Sequence, residues 1–136
     1  MSIVIELAGT PVAKGRPRFF RRTGTAYTPA KTRSYEAQLK FAAEAAMEGR
    51  PPLQGALRVE VHALMPVPAS WSKKKTAAAL TGEIRPTVRP DWENLAKTLD
   101  ALNQVVWRDD AQIVVGEIHK TYSERPRLIV RVEALP

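Results

Sequence analysis

Residues 89–114 read RPDWENLAKTLDALNQVVWRDDAQIV, and the fold turns on this stretch. Leu95, Leu99, Leu102 and Val106 recur at helical spacing, supported by Ala96, and form a stripe suited to burial. Glu93, Lys97, Asp100 and Gln104 fall on the opposite face. Pro90 precedes the run and Asp91 stands where an N-cap belongs. The spacing predicts a central helix from Asp91 through Val106, with the Asp109-Asp110 pair just beyond it.

Working outward, Ile113 to Tyr122 and Leu128 to Val132 read as strands, and the short linker 123–126 predicts a hairpin between them. Upstream, residues 83–90 form an extended connector with Pro86 and Pro90. Ser70 caps a short lysine-studded helix that runs to about Leu80 and closes at Gly82. Leu57, Val59, Val61 and Ala63 alternate with Arg58, Glu60, His62 and Leu64, the pattern of a half-buried strand that Pro66 and Pro68 break. Thr28-Pro29 opens a helix carrying Tyr35, Leu39, Ala42, Ala43 and Ala46 to about Met47. Residues 3–8 form a first strand, followed by a Gly-, Pro- and Arg-rich loop over 9–28. The expected order is β-α-β-α-α-β-β, an α/β or α+β arrangement, and 136 residues are enough for one domain spanning 1–136.

Composition narrows the function. A hydrophobic fraction of 44% and a charged fraction of 26% suit a folded globular chain. No apolar run approaches the roughly 20 residues that cross a bilayer, and no basic n-region precedes the N-terminal apolar stretch. Without cysteine there are no disulfides or thiolate metal sites, and a reducing cytoplasm is the expected setting. Two histidines, His62 and His119, make a multi-histidine zinc site unexpected; both read as structural strand residues. The formal charge of +7 and pI near 10.1 favour a polyanionic partner. No segment pairs a basic face with a large apolar one, so nucleic acid is preferred over a membrane surface.

Within this cationic chain all four aspartates, Asp91, Asp100, Asp109 and Asp110, fall inside one 20-residue window that also holds Glu93. Crowded carboxylates repel, and a hard divalent ion relieves that repulsion through oxygen ligands. Asp91 and Glu93, two positions apart, can reach one ion from an extended backbone. Asp109 and Asp110 lie roughly 24 Å from Glu93 along a straight helix, so the chain must turn back, or the helix be shorter, for all to meet. Lys97, one turn after Glu93, suits charge neutralisation at a phosphate or proton transfer. Each residue also has a plainer reading: Glu93–Lys97 as a surface pair, Asp91 as a cap, Asp100 as a partner of Lys97, Asp109-Asp110 as a turn.

Lys14, Arg16, Arg18, Arg21, Arg22, Lys31 and Arg33 form a run of cations with no acid among them. Phosphate contact is expected there. Phe19, Phe20 and Tyr27 are interleaved and could stack on unpaired bases, although core packing is expected of at least one. Lys73, Lys74 and Lys75 form a second patch, and Arg85 and Arg89 lead directly into Asp91. Trp71, Trp92 and Trp107 read as core or interface residues.

The quoted stretch resembles the signature of the RusA family of Holliday junction resolvases. In that signature an aspartate–x–aspartate–Asn-Leu run leads to a lysine, then Asp-Ala-Leu, then Asp-Asp-x-Gln. KGRPRF, AYTP and KTRSYE resemble phage and prophage members, and the likeness covers about Leu7 to Tyr122. It implies a mixed β-sheet with packed helices, a homodimer, and a Mg2+-dependent endonuclease (Mn2+ is an alternative ion). Such an enzyme cuts four-way DNA junctions by paired nicks in recombination and repair, in a bacterial or phage-infected cell. Asp91 and Asp110 match the family's metal-binding acids and Lys97 its catalytic lysine. Glu93 takes the place of the second aspartate, and Asp109 and Asp100 fall on further motif positions. By these expectations Asp91, Glu93, Lys97 and Asp110 are catalytic, and Asp91, Glu93, Asp109 and Asp110 hold metal. Lys14, Arg16, Arg18, Arg21, Arg22, Lys73, Lys74, Lys75 and Arg89 contact DNA. Two departures stand out: glutamate replaces aspartate at 93, and one residue fewer separates Lys97 from Asp100. They favour one alternative, a weakened or inactive junction-binding protein; the rival among enzymes is a flap or fork nuclease.

Overall fold

The computed structural model describes residues 2–15, 18–27 and 29–136. Strand β1 (Ser2–Ala8) is followed by a short ribbon of β2 (Arg18–Phe19) and β3 (Ala26–Tyr27), then helix α1 (Ala30–Met47). Next come β4 (Leu57–Pro66), α2 (Lys73–Leu80) and α3 (Trp92–Lys97), and finally β5 (Ile113–Ser123) and β6 (Arg127–Ala134). Two 3-10 turns, Thr98–Leu102 and Asp110–Gln112, fill the path from α3 to β5. The main sheet has the order β1-β6-β4-β5, with β6 antiparallel to both neighbours and β4 parallel to β5. This is a mixed-sheet α+β fold. The expected element order holds, with the β2–β3 ribbon added inside the N-terminal loop.

Period-2 alternation fixes the inward face of the sheet. Ile3 and Ile5 of β1, every second residue from Leu57 to Met65 of β4, and Leu128, Val130 and Val132 of β6 are buried. Tyr35, Leu39, Ala43 and Met47 project from α1 into the same core, as their spacing predicts. The proposed cap Thr28 lies outside the described residues. Ser72, not Ser70, caps α2, its Oγ accepting from Lys75 N–H at 3.1 Å.

Two expectations are corrected. β5 and β6 are not a hairpin, because β4 lies between them and pairs with both. The linker instead passes the end of β4, where Pro66 faces Ser123 and Leu64 faces Arg127. A central position supplies partners to both backbone edges of the strand whose side chains are the most buried. The central helix is also shorter than its periodicity suggests. The α-helix ends at Lys97, and 3-10 winding continues to Leu102. Buried Thr98 donates from its hydroxyl to the Leu95 carbonyl at 2.6 Å, a local bond that competes with regular helix. The apolar stripe survives the change of winding: Leu95, Leu102 and Val106 are buried and Leu99 is half-buried.

After Leu102 the chain reverses. Gln104 adopts a left-handed φ of 68°, and its N–H donates to the Trp107 carbonyl at 2.6 Å. Trp107 is fully buried, and its indole N–H donates to Asn103 Oδ1 at 2.7 Å. Among the described residues, no helix is long and apolar enough to cross a membrane. Trp107→Ala removes the largest fully buried side chain and the anchor of this reversal. It is expected to cost about 3–5 kcal/mol, read as a lowered midpoint in urea denaturation.

Candidate active site and nucleic-acid interface

Asp91 occupies the N-cap position of α3, with extended φ and ψ of −71° and 149°, but its carboxylate makes no capping hydrogen bond. The plainer reading of Asp91 as a cap is therefore not realised. The side chain is exposed and lines an open groove of about 1140 Å³. Lys14, Arg18, Lys31 and Arg89 line the same groove. The N-terminal loop meets α3 there, since Lys14 N–H donates to the Asn94 carbonyl at 3.1 Å. The cations expected from the N-terminal run and the acid from the central motif thus share one concavity.

Glu93 lies in the first turn of α3, and its Oε1 is 3.3 Å from Lys97 Nζ. Both side chains are exposed, at 78% and 53%, so the contact contributes only about 0.3–0.5 kcal/mol and leaves either group free to swing. Asp100 pairs not with Lys97 but with Lys14, Oδ2 to Nζ at 3.2 Å. Lys14 also meets Glu36 of α1 at 3.2 Å. Burial pushes the Lys14 ammonium pKa down, but the two carboxylates outweigh it and the net direction is up. Lys14, expected to contact DNA, is therefore engaged in a bridge between two acids. Only its distance in sequence from Asp100 kept that hidden.

The short helix and the reversal at Asn103–Trp107 fold the segment back on itself. Asp109 and Asp110 follow the reversal directly. Asp109 caps the second 3-10 turn, with Oδ1 accepting from Ala111 N–H at 2.8 Å. Asp110 is held above the ordinary carboxylate range. Partial desolvation is the largest cause, followed by its hydrogen bond to Asp109 and then the charges of Asp109 and Asp100. Asp100, Asp109 and Asp110 are therefore within electrostatic reach of one another, as a straight helix would not allow.

Gln112 locks this turn. Its Oε1 accepts from the N–H groups of Arg108 and Asp109 at 3.0 and 3.2 Å. Its Nε2 donates to the carbonyls of Leu53 and Gly55 at 3.0 and 3.1 Å. The residue was visible in the Asp-Asp-x-Gln motif, but nothing in its type revealed that it serves as a latch. An all-oxygen donor set with an uncapped Asp91 and a crowded Asp109–Asp110 pair suits a hard divalent ion. Among the described residues, however, the group of three whose ligand atoms all lie within 4.8 Å of one another is Glu60, His62 and His119, outside this segment.

The basic ribbon departs from one expectation. Phe19, Phe20 and Tyr27 are all exposed, at 66%, 54% and 36%, so none packs in the core. Phe20 and Tyr27 instead pack on each other, tilted by 30° with ring centres 4.6 Å apart, on the ribbon that also carries Arg18, Arg21 and Arg22. A two-strand ribbon is too narrow to offer these rings an interior. Arg16 lies outside the described residues. Lys73, Lys74 and Lys75 form the exposed first turn of α2, and Lys75 lies over the Trp71 ring, 4.1 Å from its centre. Trp71 in turn meets Tyr122 edge-on. Of the three tryptophans, Trp107 is core, Trp71 packs between elements, and Trp92 is 57% exposed beside Asp91 and Glu93.

The sequence model of a family described as "Endodeoxyribonuclease RusA" matches residues 8–133. A curated relative, "Uncharacterized protein YqaN" of Bacillus subtilis (strain 168), is 38% identical over 137 residues, covering 96% of this chain and 94% of its own. The family match spans the groove, the acidic segment and the ribbon together.

Because Asp109 contributes both a hydrogen bond and a like charge to the raised Asp110 pKa, Asp109→Asn should move the Asp110 midpoint down toward the ordinary range. Carboxyl-carbon NMR titration reads this shift. An unchanged midpoint would mean that desolvation and the Asp100 charge raise it without Asp109.

Proposed function

This chain belongs to the RusA endodeoxyribonuclease family, and from that premise we propose that it is a divalent-metal-dependent nuclease that resolves four-way DNA junctions by paired nicks. The observation that carries the reading is the shared groove. Asp91, free of any capping role, faces the same concavity as Arg18, Lys31 and Arg89. A polyanionic strand drawn in by those cations arrives beside a carboxylate suited to Mg2+, with Mn2+ as an alternative.

Asp91, Glu93 and Asp110, assisted by Asp109, are the residues that would hold the ion. When bound, it activates water and stabilises the departing oxygen. Lys97 swings from its weak contact with Glu93 to neutralise charge at the scissile phosphate. Lys14 holds Asp100 in place through their ion pair. Arg16, Arg18, Arg21, Arg22 and Arg89 grip backbone phosphates, and Lys73, Lys74 and Lys75 of α2 reach a second arm. The exposed Phe20–Tyr27 pair offers a stacking surface for bases unpaired at the junction. A homodimer suits a substrate with two equivalent strands to cut, since two-fold symmetry supplies two like sites. The setting is recombination and repair in the cytoplasm of a bacterium or phage-infected host.

The departures at 93 and between Lys97 and Asp100 are compatible with activity. Glutamate reaches about one methylene further but presents the same oxygens. Winding with 3.0 residues per turn brings Asp100 back to the side of Lys97 after three steps, where an α-helix would fall short.

Synthetic four-way junctions, forks and linear duplex provide the test. We expect junction nicking with Mg2+ and none with EDTA. Asp91→Asn should bind junctions without cutting, and Lys97→Met should cut about 10²–10³-fold more slowly. Asp91→Asn cutting at the normal rate would remove the catalytic assignment. Preferential cutting of forks would replace the junction substrate. Tight junction binding with no cutting in Mg2+ or Mn2+ would leave a DNA-binding protein that has lost catalysis.

A further inference from the structure

A second constellation lies across the sheet from the acids. Glu60 and His62 alternate with the buried Val59, Val61 and Ala63 of β4, so they project from the face opposite the core. The acidic segment is anchored into that core through Leu95 and Leu102 on the other side. In the parallel pairing of β4 with β5, His62 faces His119 and Glu60 faces Glu117. The two imidazoles stack with centres 4.7 Å apart and planes within 9°. Glu60 Oε1 lies 3.0 Å from His62 Nε2, and Glu117 Oε2 lies 3.2 Å from His119 Nε2.

We propose that Glu60, His62 and His119 form a metal site for a divalent transition ion of the zinc class, distinct from the acidic site. Neutral imidazole nitrogen with one carboxylate is a donor set that suits such an ion, whereas the all-oxygen acids suit a hard one. One ligand atom from each of the three residues lies within 4.8 Å of the other two. Tetrahedral coordination at about 2.0–2.1 Å places ligand atoms about 3.3 Å apart. The Glu60–His62 separation of 3.0 Å is close to that spacing, and the two rings must rotate out of their parallel stack for both in-plane lone pairs to converge on one ion. The side chains retain 26%, 35% and 47% exposure, which leaves an entry path and room for a water as fourth ligand.

The surroundings hold the carboxylates in place. Arg131 lies 3.9 Å from Glu60 Oε2, on the oxygen that does not face His62. Arg58 binds Glu117 Oε1 at 3.0 Å in the same manner. Each carboxylate thus keeps one oxygen on an arginine and turns the other toward a histidine, the outer support that metal ligands require. The two arginines and two glutamates balance in charge. An ion here bridges β4 to β5, the strand at the sheet edge whose Val114 and Val115 are exposed. The count of two histidines argued against a zinc site, but strand register brings both together with a glutamate.

Calorimetric titration of the intact chain with Zn2+ tests the proposal, using three proteins: wild type, His62→Ala/His119→Ala, and Asp91→Asn/Asp110→Asn. We expect one ion per chain in wild type, little change in the aspartate variant, and affinity weakened by at least about tenfold in the histidine variant. Thermal melts should rise with Zn2+ in the first and third proteins only. If the histidine pair cannot be replaced together, His119→Gln on the edge strand should give the same loss. The visible spectrum of the Co2+-loaded wild type should report four-coordinate nitrogen and oxygen ligation. No zinc binding in wild type, or binding abolished by the aspartate changes and untouched by the histidine ones, would overturn the assignment.

Discussion

Trp107 holds the acidic segment in a folded-back path, and the candidate site depends on that path. Its indole is fully buried, and its N–H is satisfied by Asn103 Oδ1 within the turn it closes. A buried indole without that acceptor would carry an unpaired donor. With the acceptor in place, one side chain contributes both apolar burial and a fixed turn. Leu53 N–H donates to the Val106 carbonyl at 2.7 Å, so the reversal is also tied to the segment leading into β4. Gln112 completes the tie through the carbonyls of Leu53 and Gly55. Asp109 and Asp110 are then carried on a rigid turn anchored to the sheet.

Electrostatics give this geometry its use. A chain of net charge +7 gathers its aspartates in one segment, and the fold sets Asp91 of that segment in a groove lined by Lys14, Arg18, Lys31 and Arg89. Lys14 is the junction between the two signs. It leaves the basic run to bridge Asp100 and Glu36, while Arg18 and Arg89 line the groove with no ion pair among the described residues. The raised pKa of Asp110 expresses the same crowding from the acidic side. Such crowding is unfavourable in itself and becomes useful where a cation is to be bound.

Much of this was legible in the sequence. The alternation in Leu57–Met65 and the 3.6-residue spacing of Tyr35, Leu39 and Ala43 specified a strand and a helix whose inward residues are the buried ones. The stripe Leu95–Leu102–Val106 identified what is buried, but not how the chain winds, because periodicity alone does not distinguish an α-helix from a 3-10 turn followed by a reversal. Thr98, β-branched with a hydroxyl that bonds its own backbone, was the local sign of that change. The hairpin failed because a three-residue linker reaches the next strand but one as readily as its neighbour. The ring exposure on the ribbon, the Lys14 bridge and the Glu60–His62–His119 register depend on contacts between distant segments, which single-sequence spacing does not encode. The roles proposed for the acids come from family likeness. The structure supplied the turn that brings Asp109 and Asp110 back to Asp100.

The proposed mechanism requires both ends of the acidic segment to serve one metal ion. Paramagnetic broadening by Mn2+ in amide NMR spectra of the whole chain measures this directly. At low Mn2+, signals from residues 91–94 and 109–111 should fade together, and Asp91→Asn should weaken both effects. Broadening confined to one of the two stretches, or persisting around 109–111 when Asp91 is replaced, would contradict it.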